Sequence, residues 1–429
     1  MVRQFLSTVL GKSVRGAMRL RGGGSALPGL VVEKIDPTYI ARSLGQLPQG
    51  VVLISGTNGK TTTTKMVVEL LESQGLSVFT NRTGSNFTRG VVAALLREVT
   101  WTGQLKADIA VLELDEAHAV HFAKVVPPTH SLLLNVMRDQ LDRFGEIDHT
   151  AVLLETIAKA TTKSVTLNRE DAHIRNIAGK LSDEISVSYF GLAPELLTLF
   201  PNDESLHDQT NVAVSTIPAD VELVAFHDHM ATFAFDGSNH STDLQINGIY
   251  NMFNAAAAIA CVRHILGDAV NTMALMASLS AVRPAFGRGE TIMLDGQPVE
   301  LVLVKNPGGF RLGLSSFSPE KYATMIAIND NYADGRDMSW LWDVSFESLR
   351  NNQREFFIYL SGIRAFDMAL RLQYDDVSFK SVETDISKAL HGFLTENSDR
   401  PKRIYCTYTA MLAIRKALSS YTKVRGIGV

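Results

Sequence analysis

Residues 51–63 read VVLISGTNGKTTT, and this stretch decides the fold class of the chain. The apolar run at residues 51–54 predicts a buried strand, and apolar residues at helical spacing from residue 60 to residue 74 predict a helix. A glycine-rich turn between a strand and a helix allows backbone N–H groups and the helix N-terminus to hold a polyphosphate. The stretch therefore predicts a phosphate-binding loop in an α/β domain.

Each residue type in this loop has a chemical task. The glycines allow the backbone to approach phosphate oxygens, Lys60 neutralises the terminal phosphates, and Thr61 is a ligand for Mg²⁺. The long pattern G-x-x-x-x-G-K-[ST] is not met, because Ile54 stands at its first glycine, whereas the shorter form G-T-N-G-K-T is met fully. The residues expected to bind the nucleotide are Gly56, Thr57, Asn58, Gly59, Lys60, Thr61 and Thr62.

Strands and helices alternate along the chain beyond this loop. Apolar runs at residues 107–114, 131–136 and 164–167 predict strands of a parallel sheet that is covered on both faces. The region 184–250 differs, because a hairpin followed by a turn at Asp236-Gly237 indicates a small antiparallel insert. A helix is predicted at 251–266. A second alternating pattern then predicts a Rossmann-like α/β C-terminal domain with strands at 299–304, 324–328, 355–360 and 403–407.

Three parts follow from this pattern. Residues 1–36 form a basic N-terminal arm, residues 37–286 the nucleotide-binding central domain, and residues 287–429 the C-terminal domain. The arm contains Lys and Arg but no acid in its first 24 residues. Two interpretations of the arm remain open: a frayed, solvated terminus, or a peripheral contact with anionic lipid or a polyanionic substrate.

The composition is that of a globular chain, with 45% hydrophobic and 20% charged residues and a net charge of −4. It excludes collagen-like, low-complexity and largely disordered chains, and it gives no sign of nucleic-acid binding. No apolar run approaches the roughly 18 residues needed to cross a bilayer, so we expect a cytoplasmic protein. The two cysteines, Cys261 and Cys406, lie in regular helix and strand patterns and are expected to be core residues.

The loop and three further segments resemble the Mur ligase superfamily, whose members join amino acids to a carboxylate through an ATP-made acyl phosphate. The sequence LELDE ends a predicted strand where the superfamily keeps a Mg²⁺-binding glutamate, here Glu113. Asn254, in NMFNAA, matches an asparagine that contacts adenine, and Arg288 matches an arginine that contacts nucleotide phosphate. The resemblance implies ATP and Mg²⁺ as cofactors, with Thr61 and Glu113 as metal ligands and Lys60 and Glu113 as catalytic residues.

Other positions depart from the superfamily's pattern. The segment NVMRDQLDR resembles N-x-x-x-D-H-x-D, but Gln140 replaces the histidine that helps to hold a second metal, and an amide is a weaker ligand. The carbamylated lysine has no clear counterpart, and Glu155 falls near its position. Lys305-Asn306-Pro307 resembles an H-N-P motif, yet Val302 occupies the place of a ribose-binding aspartate. The C-terminal domain therefore differs from that of a standard amino-acid-adding ligase.

The string NDNYADGRDMSWLWD at residues 329–343 indicates the branch of the superfamily. It resembles the C-terminal domain of the ligase-like subunits of lipid II isoglutaminyl synthase, and nearly the whole chain fits that family. The resemblance implies ATP-dependent amidation of the D-glutamate α-carboxylate of lipid II in peptidoglycan biosynthesis. The ammonia would come from a GatD-like glutamine amidotransferase in a heterodimer.

In that family an aspartate of the C-terminal domain completes the partner's catalytic triad. Asp343 is the first choice for this role, and Asp337 and Asp334 are the alternatives. An ordinary structural role for Asp343 is also open, because an aspartate before Val344-Ser345-Phe346-Glu347 is typical of a helix N-cap. Trp340 and Trp342 are either core residues or interface anchors.

Several members of the family carry a four-cysteine zinc ribbon in the central domain, and we expect no zinc here. The matching region contains no cysteine, and its polar residues do not reproduce the paired C-x-x-C spacing: His207, Asp208, His227, Asp228 and His229. Two competing functions remain at this stage. One is a stand-alone Mur- or folylpolyglutamate-type amino-acid ligase, and the other is a nucleotide-binding scaffold without ligase activity.

Overall fold

Two β-sheets, one in each half of the chain, organise the computed structural model of this protein. The structure describes residues 2–20, 27–81, 87–137, 147–200, 215–227, 229–246, 248–283, 288–316, 322–352, 358–422 and 424. Both sheets combine parallel pairs with antiparallel strands at an edge, and helices cover them. This is the α/β architecture that the alternating pattern predicts.

The first sheet has nine strands in the order β2-β3-β1-β4-β5-β6-β7-β8-β9. Their bounds are β1 Val51–Ser55, β2 Val78–Thr80, β3 Ile109–Glu113, β4 His130–Leu133, β5 Ser164–Asn168, β6 Ser186–Leu192, β7 Val221–His227, β8 Met230–Phe235 and β9 Ser238–Asp243. The pairs from β2 to β7 are parallel, and β7, β8 and β9 are antiparallel. The antiparallel strands predicted as an insert thus continue the parallel sheet.

Helices cover both faces of this sheet. Their bounds are α1 Val2–Leu20, α2 Leu27–Ile35, α3 Tyr39–Leu44, α4 Lys60–Ser73, α5 Thr88–Glu98, α6 Glu116–Val125, α7 Ile147–Ala160, α8 Ala172–Arg175, α9 Ile249–Leu266 and α10 Thr272–Ala281. All five residues of strand β1 are buried, which explains the apolar run at its first four positions. The helix predicted after the phosphate loop is confirmed as α4, and the helix predicted near residues 251–266 is confirmed as α9.

Helix α9 is the central packing helix of this half of the chain. It packs on α4 and on strands β5 to β7, and its alanine run is buried. By length and composition alone, Ile249–Ala269 is apolar enough to cross a membrane, but 67% of its apolar window is buried inside the protein. Its composition is therefore explained by packing in the core.

The second sheet has six strands in the order β10-β11-β15-β12-β13-β14. Its strands are β10 Arg288–Leu294, β11 Gln297–Leu303, β12 Ala323–Ala327, β13 Ile358–Ser361, β14 Ser381–Glu383 and β15 Lys402–Cys406, and its helices are α11 Pro307–Ser316, α12 Ala365–Tyr374, α13 Ile386–Glu396 and α14 Tyr408–Leu418. Only the β10–β11 pair is antiparallel among the described strands of this sheet. The four strands predicted here correspond to β11, β12, β13 and β15.

The N-terminal arm is a folded part of the first half. Helix α1 packs on α2, α3 and α5, and the Gln4 side chain donates a hydrogen bond to Ser43 Oγ at 2.8 Å. Ser7 Oγ donates to the buried carboxylate of Asp36 at 2.6 Å. The interpretation of the arm as a frayed, solvated terminus is therefore wrong, because side chains on one face of α1 are buried and bonded to the central domain.

Candidate active site

The phosphate loop joins β1 to α4 and is shaped by two glycines with positive φ. Gly56 has φ +134° and Gly59, which caps the N-terminus of α4, has φ +90°. A Cβ added to Gly59 would lie 2.5 Å from Asn254 Oδ1, so no other residue fits there without displacing that side chain. The predicted adenine-contact residue Asn254 therefore lies directly against the loop.

Lys60 turns back over the loop from the first turn of α4. Its Nζ donates to the Gly56 carbonyl oxygen at 2.6 Å and forms ion pairs with Glu116 at 3.3 Å and Asp115 at 3.5 Å. The side chain is buried, so these contacts supply the polar partners that a buried cation needs. Asp115 and Glu116 belong to the sequence LELDE, but the sequence alone does not predict that they pair with Lys60.

The two predicted metal ligands meet at the carboxyl ends of β1 and β3. Thr61 Oγ1 donates to Glu113 Oε1 at 2.7 Å. Asn81 fixes the backbone of Glu113 from the neighbouring β2 side, since Asn81 Nδ2 donates to the Glu113 carbonyl at 2.8 Å and the Glu113 N–H donates to Asn81 Oδ1 at 3.1 Å. A hydroxyl and a carboxylate are hard oxygen donors of the kind Mg²⁺ takes alongside phosphate.

Asn135, just after β4, holds the other side of the loop. Its Oδ1 accepts from the Asn58 N–H at 2.8 Å, its Nδ2 donates to the Asn58 carbonyl at 3.1 Å, and its own carbonyl accepts from the Thr57 N–H at 2.9 Å. These bonds give hydrogen-bond partners to the N–H group of Thr57 and to the N–H and carbonyl groups of Asn58. The asparagine that opens the segment NVMRDQLDR thus has a structural task in shaping the loop.

The C-terminal half contacts the loop through the segment that resembles H-N-P. Asn306 and Asn58 exchange side-chain amide hydrogen bonds, at 3.0 Å from Asn306 Nδ2 and 3.3 Å from Asn58 Nδ2. Lys305 Nζ donates to the Thr57 carbonyl at 3.0 Å. A second cation, supplied by the other half of the chain, therefore lies at the phosphate loop.

Asp343 ends a short 3-10 helix, Ser339–Asp343, that connects β12 to the segment before β13. The proposed helix N-cap role for Asp343 is wrong, because Asp343 closes this helix and the nearby Phe346 N–H is bonded by Asp375 Oδ2 at 2.6 Å. Trp340 is buried in the core, whereas 48% of the Trp342 side chain is exposed. Trp340 is therefore a core residue, whereas an interface role for Trp342 stays a prediction.

Arg371, on α12, braces this segment from behind. Its guanidinium donates to the Leu341 carbonyl at 3.2 Å and to the Val344 carbonyl at 2.6 Å, and it pairs with Asp375 at 2.6 Å. The two carbonyls lie on either side of Trp342 and Asp343. Sequence reasoning missed Arg371, because no local pattern connects it to residues about thirty positions earlier.

Asp334 and Asp337, the alternatives to Asp343 for the triad role, bond to nearby groups of the same domain. Asp334 is buried, and its carboxylate accepts from the Thr409 N–H at 2.6 Å and from Thr409 Oγ1 at 2.5 Å. Asp337 accepts from the Ser339 N–H at 2.9 Å and so stabilises the start of the 3-10 helix. Both carboxylates therefore stabilise the fold of this loop.

Comparison with known proteins covers both halves of the chain. Residues 54–262 match the family model described as Mur ligase middle domain, and residues 303–411 match the model described as MurT ligase C-terminal. The subunit MurT of the glutamine-hydrolyzing lipid II isoglutaminyl synthase of Streptococcus pneumoniae is 30% identical, over 99% of this chain and 99% of that protein. The chain belongs to the MurT family. The corresponding MurT subunit of Staphylococcus aureus is also 30% identical, over 90% of this chain and 92% of its own length.

Solved structures show that the MurT-family chain has the Mur ligase fold. A MurF from Acinetobacter baumannii is 17% identical with a TM-score of 0.68, covering 92% of this chain and 80% of the other. A pseudomurein peptide ligase type C from Methanothermus fervidus is 17% identical with the same TM-score of 0.68, covering 90% of this chain and 81% of the other. At this identity the likeness concerns the fold alone.

The thiols of this MurT-family chain are core residues, as the sequence predicts. Burial raises the pKa of the Cys261 thiol to about 12. Burial, and secondarily the negative charge of Asp334, raises the pKa of Cys406. A nucleophilic cysteine needs an accessible thiolate, so neither residue is suited to attack glutamine.

The remaining predicted residues are distributed as follows. Glu155 forms ion pairs on the outside of α7 with Lys159 at 2.5 Å and Lys180 at 2.7 Å, and His227 and His229 are exposed. Several predictions fall outside the described residues, so their structural roles stay predictions: Gln140, His207, Asp208, Asp228 and the side chain of Arg288.

Proposed function

We propose that this chain is the ATP-using subunit that amidates the α-carboxylate of D-glutamate in lipid II, giving D-isoglutamine during peptidoglycan synthesis. Membership of the MurT family supports this proposal, because two relatives of nearly full length are named as subunits of glutamine-hydrolyzing lipid II isoglutaminyl synthase. The observation that carries it is the convergence of Lys60 with the Thr61–Glu113 pair at the phosphate loop. The proposed use of ATP places the reaction in the cytoplasm.

The loop fits a nucleoside triphosphate. The N–H groups in the first turn of α4 and the positive end of the helix dipole favour a polyphosphate, and Lys60 and Lys305 bring two cations to the same place. Asn254 is proposed to contact adenine and Arg288 a phosphate. The ADP complexes of a MurF from Thermotoga maritima and of a FolC from E. coli support nucleotide binding to this fold.

The oxygen atoms of Thr61 and Glu113 fit a Mg²⁺ ion that also binds phosphate oxygens. Among the described residues no group of three or more His, Cys, Asp and Glu side chains is arranged to hold a metal, which agrees with an ion that takes most of its ligands from nucleotide and water. The ion would neutralise charge on the transferring phosphoryl group. The absence of zinc stays a prediction.

Amidation needs two bond exchanges, because a carboxylate is a poor electrophile. A carboxylate oxygen of the D-glutamate attacks the γ-phosphorus of ATP, ADP leaves, and an acyl phosphate forms. The nitrogen of ammonia then attacks the carbonyl carbon, the carbon–oxygen bond to phosphate breaks, and the nitrogen loses a proton. Lys60 stabilises negative charge on the phosphoryl oxygens during the first exchange, and inorganic phosphate is the leaving group of the second.

A partner is proposed to supply the ammonia. At neutral pH free ammonia is mostly ammonium, which is no nucleophile, and the buried thiols of this chain cannot release it from glutamine. We therefore propose a heterodimer with a GatD-like glutamine amidotransferase. The Asp343 carboxylate would orient the histidine of the partner's Cys–His pair and stabilise its protonated form.

An exposed apolar surface beside Asp343 supports this partner. We define the partner surface as Trp342, Phe366, Leu370 and Tyr374, which are 48%, 67%, 49% and 71% exposed. The last three lie at four-residue spacing on one face of α12, and the Trp342 ring packs edge-on against Tyr374 with centroids 5.0 Å apart. Large aromatic residues on one exposed face are typical of interface anchors.

The proposal is tested by reconstitution. The purified chain is incubated with ATP, Mg²⁺ and lipid II, and ammonium or glutamine plus the amidotransferase is added, with amidated product followed by mass spectrometry. We expect product with ammonium alone, and with glutamine only when the partner is present. Lys60→Met should abolish both reactions, whereas Lys65→Met, on the same helix but in a partly exposed pair with Glu69, should retain both. Product formation from an amino acid instead of ammonia would establish a stand-alone ligase.

A further inference from the structure

Helix α1 has its polar side chains on the buried face. Gln4, Ser7 and Thr8 are at most 8% exposed, and each forms a hydrogen bond to another buried side chain or backbone group. Gln4 bonds Ser43, and Ser7 bonds Asp36. In its first two turns, α1 therefore contacts the central domain through polar side chains.

Those apolar side chains lie on the opposite face, toward solvent. Val2, Phe5, Leu6 and Leu10 are 74%, 45%, 60% and 38% exposed. Positions 2, 6 and 10 follow each other at four-residue spacing and form one stripe along the helix, with position 5 beside it. The first turns of α1 thus pack by polar side chains and present apolar ones, which is the reverse of an ordinary surface helix.

Neighbouring elements extend this apolar face. Ile35, at the end of α2, is 57% exposed and directly precedes Asp36, which bonds α1. Trp101 is 62% exposed, and its ring lies beneath Lys12 Nζ at 5.4 Å from the centroid. A group of exposed large apolar side chains on and beside one helix is typical of an interaction site.

The surface is also basic. Helix α1 contains Arg3, Lys12, Arg15 and Arg19 and no acid, whereas the whole chain has a net charge of −4. The nearby carboxylate of Asp36 is 1% exposed and is paired with Arg3 and Arg42. Arg3, whose side chain is 63% exposed, and Lys12, whose ammonium lies over the Trp101 ring, therefore bring positive charge beside the exposed apolar side chains.

We propose that the outer face of α1, with Ile35 and Trp101, docks on an anionic lipid bilayer. We call this set the lipid-docking face. A helix with exposed apolar residues and basic flanks lies in the plane of the headgroups, with the apolar residues inserted and the cations near anionic lipid. This inference rests on the proposed function, because a lipid-linked acceptor is held in the bilayer and the docked chain would reach it there.

Charge favours a bilayer over the other occupants. Two copies that met through this face would bring like-charged basic flanks together, which opposes association. The amidotransferase is assigned to the partner surface on the C-terminal half, which is built on α12. An anionic bilayer matches both the apolar stripe and the positive charge.

The test is binding of the full chain to vesicles of phosphatidylglycerol and phosphatidylcholine, compared with vesicles of phosphatidylcholine alone. We expect sedimentation with the anionic vesicles that weakens as salt is raised. Leu6→Gln/Leu10→Gln should bind roughly tenfold more weakly or worse, because two inserted side chains are lost. The matched control Val152→Gln/Met273→Gln changes two residues that are 57% and 84% exposed on other helices and should bind as the wild type does.

Several results would overturn the proposal. They are an absence of wild-type binding to anionic vesicles, equal loss in both double variants, and dissociation of a wild-type dimer by Leu6→Gln/Leu10→Gln, which would assign the face to a second copy. Unchanged melting temperatures show that both variants fold, as expected for exposed positions. Vesicle binding needs neither ATP nor acceptor, so its result can be interpreted even if the amidation assay fails.

Discussion

Replacement of Arg371 by methionine tests how the segment around Asp343 is held. Methionine retains an unbranched apolar stem but removes the donors to the carbonyls of Leu341 and Val344 and the ion pair with Asp375. The arginine side chain is 9% exposed and that of Asp375 is 13% exposed, so water replaces little of what is lost. The substitution should loosen the segment and leave a buried carboxylate without its cation.

The magnitude follows from these contacts. A hydrogen bond from a charged donor contributes about 1.5–3 kcal/mol, and removal of one partner of a buried ion pair costs about 3–5 kcal/mol. The contributions share one guanidinium and do not add, so we expect Arg371→Met to lower the free energy of unfolding by about 3–5 kcal/mol. Asp367→Asn, on the same helix, breaks an ion pair with Arg364 in which the two side chains are 53% and 38% exposed, and it should cost about 1 kcal/mol or less.

The assay is guanidinium-induced unfolding followed by tryptophan fluorescence, together with both amidation activities. Arg371→Met/Asp375→Asn should recover part of the lost stability, because the unpaired charge is gone. We expect glutamine-dependent amidation to fall further than ammonium-dependent amidation. The reasoning is refuted if Arg371→Met unfolds within about 1 kcal/mol of Asp367→Asn, or if both activities fall by the same factor.

Three further predictions concern the first half of the chain and its contact with the second. Gly59→Ala, which brings a Cβ to 2.5 Å from a neighbouring side chain at φ +90°, should raise the KM for ATP at least tenfold, while Gly75→Ala, at φ +88° with open space around it, should cost stability alone. Lys305→Met removes the cation that the C-terminal half brings to the loop and should raise the KM for ATP roughly tenfold or more, and an unchanged KM would contradict its assignment. Burial, with nearby cations, lowers the pKa of His130 from 6.5 to about 4. The unfolded chain therefore binds the proton first, so stability should fall by about 3 kcal/mol as the pH drops from about 6.5 to 4, and His130→Gln should flatten that part of the unfolding curve.

Local patterns were sufficient to predict the centre of the fold. The run at residues 51–54 is apolar because β1 is buried on both faces, and the glycines after it mark the turn into α4. The sequence around Leu6 and Leu10, in contrast, has the apolar spacing of any amphipathic helix. Only the structure shows that the helix face with Leu6 and Leu10 is exposed to solvent and that the polar face of the first turns packs on the central domain.

Contacts between distant positions could not be predicted from one sequence. Asn58 and Asn306 are separated by 248 positions, and their amide exchange follows from the placement of two domains. Strand β14 was missed because its three residues are only partly buried and carry no apolar run. The site was therefore predictable where one motif carries the chemistry, and unpredictable where tertiary placement brings Lys305 to the loop.

The most direct test of the account is the effect of Asp343→Asn on the two ammonia sources, with Asp337→Asn as the matched control on the same loop. The amide keeps the size of the side chain but cannot stabilise a protonated histidine, so glutamine-dependent amidation with the partner should fall at least about 100-fold. Ammonium-dependent amidation should stay within about twofold of the wild type, since that reaction needs only the phosphate-loop site. Loss of both activities, or retention of both, would contradict the assignment of Asp343 to the partner's triad.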